Sequence, residues 1–265
     1  MMKNLALAVT LMGCTVPGIA AGQSLFDGTW KIDLKSFNFP QKPDVLTLND
    51  GVFECSTCNP KIKVKADGTD QPLTDNPYAD TLAVTVVSDH EVSQVQKKAG
   101  KVVGTSQTII SLDGKTMTTS FSDSSNTNGG PPVTGTGKAT RIADGPPGSH
   151  VLSGSWRSTE VSGLSDSALV WSYKTDGDQV TMTNPTGQTY TAKMDGTDAA
   201  MHGDPGITSV SVRMIGKDTL EETDKRKDKV IGVFRFTVAA DGKSAKSVWE
   251  DKMTDQKTEF EAVKQ

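Results

Sequence analysis

The chain has 265 residues, a formal net charge of −4, 23% charged side chains and three cysteines. That acidic balance argues against nucleic acid as a partner, because binding phosphate needs a basic face. The densest basic run, Lys225-Arg226-Lys227, is bracketed by Asp224 and Asp228 and reads as a solvated hairpin tip. Aromatic residues make up 6%, too few for the two girdles of an outer-membrane barrel.

The N-terminus reads as a signal peptide over residues 1–22. Lys3 supplies the positive segment, Leu5–Met12 the apolar one, and Gly18-Ile19-Ala20-Ala21-Gly22 the small residues of a cleavage site. The apolar run is too short for a transmembrane span. A second reading stands beside it. Leu11-Met12-Gly13-Cys14 resembles the bacterial lipobox, in which a cysteine such as Cys14 is acylated to become a lipid anchor. The first reading predicts a periplasmic or secreted protein, the second a membrane-anchored lipoprotein. Either takes the chain out of the cytoplasm, so Cys55 and Cys58 meet an oxidising compartment. Their flanks, Val52-Phe53-Glu54 and Ile62-Lys63-Val64, are strand-like. A redox Cys-x-x-Cys sits at a helix N-terminus, so this pair is expected to form a disulfide pinning a turn.

The chain then states one pattern twice. Asp67-Gly68-Thr69-Asp70 returns as Asp195-Gly196-Thr197-Asp198, Lys101-Val102 as Lys229-Val230, and Asp113-Gly114-Lys115 as Asp241-Gly242-Lys243. At that one offset, residues 67–123 and 195–251 share fourteen identities in fifty-seven positions, so the chain is read as two copies of one domain. The expected division is domain 1 over 23–143, a linker over 144–150 (Asp144-Gly145-Pro146-Pro147-Gly148-Ser149-His150) and domain 2 over 151–265, with the two domains in contact.

From Gly28 onward the apolar residues alternate with period two. Trp30, Ile32 and Leu34 lie on one face, as do Leu82, Val84 and Val86. In the second copy Trp171 and Tyr173 follow the pattern, then Val210, Val212 and Met214, then Phe234, Phe236 and Val238. Asn49-Asp50-Gly51, Ala99-Gly100, Asp113-Gly114, Asp176-Gly177 and Asp241-Gly242 supply hairpin turns. The fold class is therefore all-β: two tandem antiparallel up-and-down β-barrels of about eight strands each, since closing a meander removes its exposed edges.

Each copy opens on Gly-x-Trp, as Gly28-Thr29-Trp30 and Gly154-Ser155-Trp156. Here the chain resembles the lipocalin and calycin group. It is more closely similar to exported bacterial proteins described as lipocalin-like, which share Gly-x-Trp, a Cys-x-x-Cys turn, Lys-x-Asp-Gly and Ala-Asp-Gly-Lys. The resemblance implies that each tryptophan closes one end of a barrel under a basic side chain near the end of the last strand. Arg141 is the candidate in copy one with Trp30, and Lys264 in copy two with Trp156.

Trp171, Tyr173, Phe234, Phe236 and Trp249 lie on inward-alternating faces and are the candidate wall of an apolar cavity. An eight-stranded barrel is just wide enough to be filled by side chains or to hold one small ligand. No catalytic constellation, metal site or cofactor fingerprint is found. The Asp-Gly-Thr-Asp segments read as turns. The acidic clusters Glu221-Glu222-Thr223-Asp224 and Glu250-Asp251 read as solvated strand faces. The expected function is binding of a small lipophilic or amphipathic ligand in the cell envelope, not catalysis. The alternative is a structural or protein-interaction module with side-chain-filled barrels.

Overall fold

The computed structural model describes residues 24–265. The signal peptide expected over 1–22 and the lipidation expected at Cys14 lie outside the described residues. The first half of the chain forms β1 (Gly28–Asn38), β2 (Asp44–Asn49), β3 (Val52–Cys55), β4 (Ile62–Lys65), β5 (Gln71–Pro72), β6 (Thr81–Ser88), β7 (Glu91–Lys98), β8 (Lys101–Ile110), β9 (Thr116–Asp123) and β10 (Val133–Asp144). Then come β11 (Gly154–Ser162), a single helical turn α1 (Asp166–Leu169), β12 (Val170–Asp176), β13 (Gln179–Thr183), β14 (Thr189–Lys193), β15 (Asp195–Ala200), β16 (Ser209–Ile215), β17 (Thr219–Arg226), β18 (Lys229–Val238), β19 (Ser244–Asp251) and β20 (Gln256–Lys264).

These strands form two antiparallel ten-stranded sheets, each nearly closed into a barrel. The expected hairpins carry their turns on positive-φ residues: Asp50 at 49° with Gly51 at 71°, and Ala99 at 50° with Gly100 at 77°, the geometry that matches strand twist. Each sheet has ten strands rather than about eight, and one of the extra strands is an edge pairing at or beside the Asp-Gly-Thr-Asp segment. Asp195–Ala200 is itself β15, with a bulge between Asp195 and Asp198. In the first copy Asp67 bridges to Thr85 just before β5. Both segments still make the expected local turn bond, Thr69 N to Asp67 Oδ1 at 3.0 Å and Thr197 N to Asp195 Oδ1 at 2.8 Å.

The partition of the chain differs from a cut at 143/151. The sheet orders are β4-β3-β2-β11-β10-β9-β8-β7-β6-β5 and β14-β13-β12-β1-β20-β19-β18-β17-β16-β15. Barrel one is thus continuous, Asp44 to Ser162, and ends on the second Gly-x-Trp strand. Barrel two runs from Val170 to Lys264 and takes the first Gly-x-Trp strand, β1, between β12 and β20. Residues 144–150 do not link the barrels. They turn the chain between β10 and β11, which pair from Thr136↔Ser162 to Asp144↔Gly154 within one sheet. The chain crosses between barrels at 39–43 and again at 163–165. A repeat offset cannot show this, because a first strand and a last strand occupy the same place once the barrel closes.

The closing pairs are crossed accordingly. Trp30 lies opposite Lys264, whose Nζ is 4.8 Å from the indole centroid, and Trp156 lies opposite Arg141, whose Cζ is 4.2 Å away. Each contact is worth ~0.5–2 kcal/mol. Both indoles are buried and donate Nε1–H four residues back, Trp30 to Phe26 O and Trp156 to Leu152 O, each at 2.8 Å. The glycine two residues before Trp156 is required. Gly154 has φ +148°, and a Cβ there would stand 2.5 Å from Arg141 Nη1. Arg141 also donates to the carbonyls of Gly114, Ser153 and Val151.

The expected disulfide joins Cys55 to Cys58 and staples the loop between β3 and β4. The barrels touch, as expected. The Asn126–Asn128 loop docks on Thr186–Gln188, through Asn128 N to Thr186 O at 2.8 Å and Gln188 Nε2 to Asn126 O at 2.7 Å. Tyr78 Oη donates to Asp204 Oδ1 at 3.3 Å, and Lys42 Nζ to Thr254 O at 3.1 Å. Among the described residues no helix is long and apolar enough to cross a membrane.

Candidate functional site: the lumen and mouth of barrel two

Period-two alternation along β17, β18 and β19 sends Leu220, Glu222 and Asp224 to the same face as Phe234, Phe236, Ser247 and Trp249. The register pairs Leu220 with Phe236, Glu222 with Phe234 and Asp224 with Gly232, then Phe236 with Ser247 and Phe234 with Trp249. On the other side of β1, Trp171 and Tyr173 face Trp30 and Gly28, and Tyr173 continues to Met182 and Tyr190. The fold therefore brings the five predicted wall residues into one lumen, together with two carboxyls and a second tyrosine that the sequence reading left out.

The five do not play one part. Phe236 is fully buried and packs edge-on against Trp30, with ring centroids 4.8 Å apart. Tyr173 is buried beside it at 5.5 Å. These two, with Trp30, fill the base. Trp171 and Phe234 are half-buried and lean on Phe236 at 5.6 and 6.3 Å. Phe260 and Phe37 extend the cluster, stacked at 5.3 Å, toward the far end of β1. Trp249 stands at the mouth with its ring over Gly232. A Cβ on Gly232 would lie 2.0 Å from the indole, so only glycine leaves room for the ring.

The acidic cluster expected to be solvated is not. Glu222 is 8% exposed and Asp224 4%. Both occupy lumen positions because they alternate with Leu220, and Tyr190 Oη donates to Glu222 Oε2 at 2.5 Å. Burial pushes both carboxyls above the ordinary carboxylate range. Beside Asp224 the Glu222 charge pushes further, while the Tyr190 hydrogen bond pulls Glu222 partly back. Burial and the Glu222 charge likewise raise the Tyr173 and Tyr190 phenols. Glu221 is also largely buried, on the outer face, where Arg213 at 2.5 Å and Arg235 at 2.7 Å cover it. Arg235 continues to Glu250 at 2.5 Å. That outer network holds the sheet. The inner pair has no cation against it among the described ion pairs.

One lumen atom, Ser247 Oγ, has no hydrogen-bond partner, and the Asp224 carboxyl has only the neighbouring Glu222 carboxyl. Unpaired buried polar atoms are uncommon, and each costs ~1–3 kcal/mol. Trp249 also lines a cleft between the barrels of about 370 Å³, with Asp251 and Arg226 on its side and Asp44, Tyr78 and Cys58 on the other. A second hollow of about 200 Å³ adjoins it past Trp249 toward Pro40, Lys42 and Ser158. Burial raises the Asp44 carboxyl against a hydrogen bond from Thr57, and pushes the Tyr78 phenol up to about 12 with help from Asp204. A wider concavity of about 610 Å³ lies around Arg141 and Pro146. Its floor is hairpin backbone, and Arg141 is already engaged by three carbonyls, so it offers less chemistry than the barrel-two mouth. Among the described residues no three His, Cys, Asp or Glu side chains are placed to hold a metal ion.

No protein-family model matches this chain, and no curated protein matches it.

Proposed function

We propose that the chain is an exported, non-enzymatic binding protein, lipocalin-like in its tandem barrels, that holds one small apolar or amphipathic molecule at the mouth of barrel two. The observation that carries this reading is the graded wall. Phe236 and Tyr173 seal the base, whereas Trp171, Phe234 and Trp249 are half-buried, and Trp249 also lines the 370 Å³ cleft. Concave sites with an aromatic wall and a few convergent polar groups are what small-molecule binding uses. The Lys3-led leader and the Cys55–Cys58 disulfide support a periplasmic or secreted location. The test is titration of the protein with an environment-sensitive lipophilic probe. Saturable binding that Trp249→Asp lowers at least tenfold, with the thermal midpoint shifted by only a few degrees, is expected. A folded protein that does not bind the probe at all removes the proposal.

The rival reading, an interaction module with dry barrels, draws support from the fully buried Phe236–Trp30 base. It predicts an unaltered probe spectrum and a partner protein recoverable by cross-linking at the inter-barrel cleft.

A further inference from the structure

We infer that barrel two selects an amphipathic ligand with a cationic head, which Glu222 and Asp224 receive inside an aromatic surround of Trp171, Phe234 and Trp249. This rests on the barrel-two mouth being a ligand site.

The first support is the placement of the acids. Asp224 lies two residues before Arg226, which lines the cleft, and one strand away from Gly232, over which the Trp249 ring is laid. The Trp249 ring and Asp224 thus meet at the level of Gly232. The Asp224 carboxyl is buried with only the Glu222 carboxyl beside it, and Ser247 Oγ on the neighbouring wall is fully buried without a partner.

The second support is the internal repeat, which supplies a control inside the same molecule. The positions equivalent to Glu222 and Asp224 are Gln94 and Gln96. The backbone is the same, Gly104 stands where Gly232 does, and barrel one folds with neutral amides. The two carboxyls are therefore not a requirement of the fold. A buried carboxylate without a counter-charge is unfavourable, and a monocation placed among aromatic faces removes that penalty while adding cation–π attraction.

The third support is the balance of charge along the entry. The basic side chains at the two ends of the lumen are engaged: Arg226 Nε donates to Gly206 O at 2.6 Å, and Lys264 Nζ to Leu25 O at 2.9 Å while lying on Trp30. Asp44 and Asp251 line the cleft on opposite sides. The cleft thus carries two acids against one arginine, and the carboxyls at the level of Gly232 accept hydrogen bonds and positive charge.

The experiment titrates the full chain, by tryptophan fluorescence and calorimetry at neutral pH, with three ten-carbon probes below their micellar concentrations: decylammonium, decanol and decanoate. Decylammonium should bind at least tenfold more tightly than the other two. In Glu222→Gln/Asp224→Asn that preference should fall to within about twofold while decanol binding is retained. Equal affinity for all three probes overturns cation selection and leaves the apolar site standing. Binding of none of them overturns both. Selectivity that survives the double amide variant places the cation elsewhere and overturns the assignment to these residues. The head-group series on the unaltered protein is decisive even if the double variant fails to fold, and the single Asp224→Asn variant then supplies the mutational arm.

Discussion

At the level of Gly104 in barrel one and Gly232 in barrel two, the same strands enclose different chemistry. Barrel one places Gln94, Gln96, Ser106 and Phe121 around a cavity of about 140 Å³. Barrel two places Glu222, Asp224, Phe234 and Trp249 at the equivalent positions. Toward the base, Thr108 and Thr119 share a 3.0 Å hydrogen bond in barrel one, while Phe236 and an unpaired Ser247 stand at those positions in barrel two. Meanwhile the features that hold the barrels together repeat. Asp70–Lys97 and Asp198–Lys225 form the same ion pair at 2.7 and 2.5 Å, and both tryptophan caps keep their bond four residues back. The scaffold has been held constant while the lumen diverged. The barrel with acids and large aromatics carries lumen side chains that the scaffold does not need.

The largest test of that comparison is to remove β1. Deleting the segment through Asn38 takes the fully buried Trp30 from barrel two and leaves β12 and β20 as open edges. Hydrogen exchange read by mass spectrometry should show protection lost across Val170–Lys264 and kept across Asp44–Ser162. Equal loss in both would mean that the barrels form one cooperative unit. A smaller break is Gly232→Ala, which sets a methyl against the Trp249 indole, beside Gly104→Ala, whose nearest neighbour is the flexible end of Gln96 at 3.1 Å. Denaturant unfolding should find the first variant ~1–3 kcal/mol less stable and the second changed by under about 1 kcal/mol.

The third test exchanges charge. Burial raises the proton affinity of Glu222 and Asp224 in the folded state, whereas both ionise near pH 4 when unfolded. Between those limits the native state binds more protons, so stability falls as pH rises above about 4 toward their raised native range. Asp224→Asn should flatten that decline and stabilise the protein at pH 7.5 by ~1–2 kcal/mol. Chemical denaturation at pH 5 and pH 7.5 measures it, and an unchanged slope would show that the carboxyl is already hydrated.

Much of this was legible in the residues. Alternation and hairpin turns specify the strands, the constant offset specifies two copies, and inward faces follow from period two once Trp30 or Leu220 fixes the phase. The lumen acids were missed because Glu221-Glu222-Thr223-Asp224 looks polar throughout. The available signal was that Leu220 puts Glu222 and Asp224 in phase with the core while Glu221 faces Arg213 and Arg235. What no local pattern carries is which barrel a terminal strand joins. Gly28-Thr29-Trp30 and Gly154-Ser155-Trp156 are interchangeable as sequence, and the choice is made by contacts more than two hundred residues apart, such as Trp30 with Lys264.

That last pairing orders events as the protein is made. Barrel one has all its strands once Ser162 has emerged and can close behind the ribosome. β1 is synthesised first yet must wait, unpaired on both sides, until Val170–Asp176 and then Gln256–Lys264 arrive to flank it. Pairing at such separation is slow, and a waiting strand is where mispairing begins. The vulnerable interval therefore belongs to β1, and it lasts until β20 has been made and Gln265 N closes on Thr29 O.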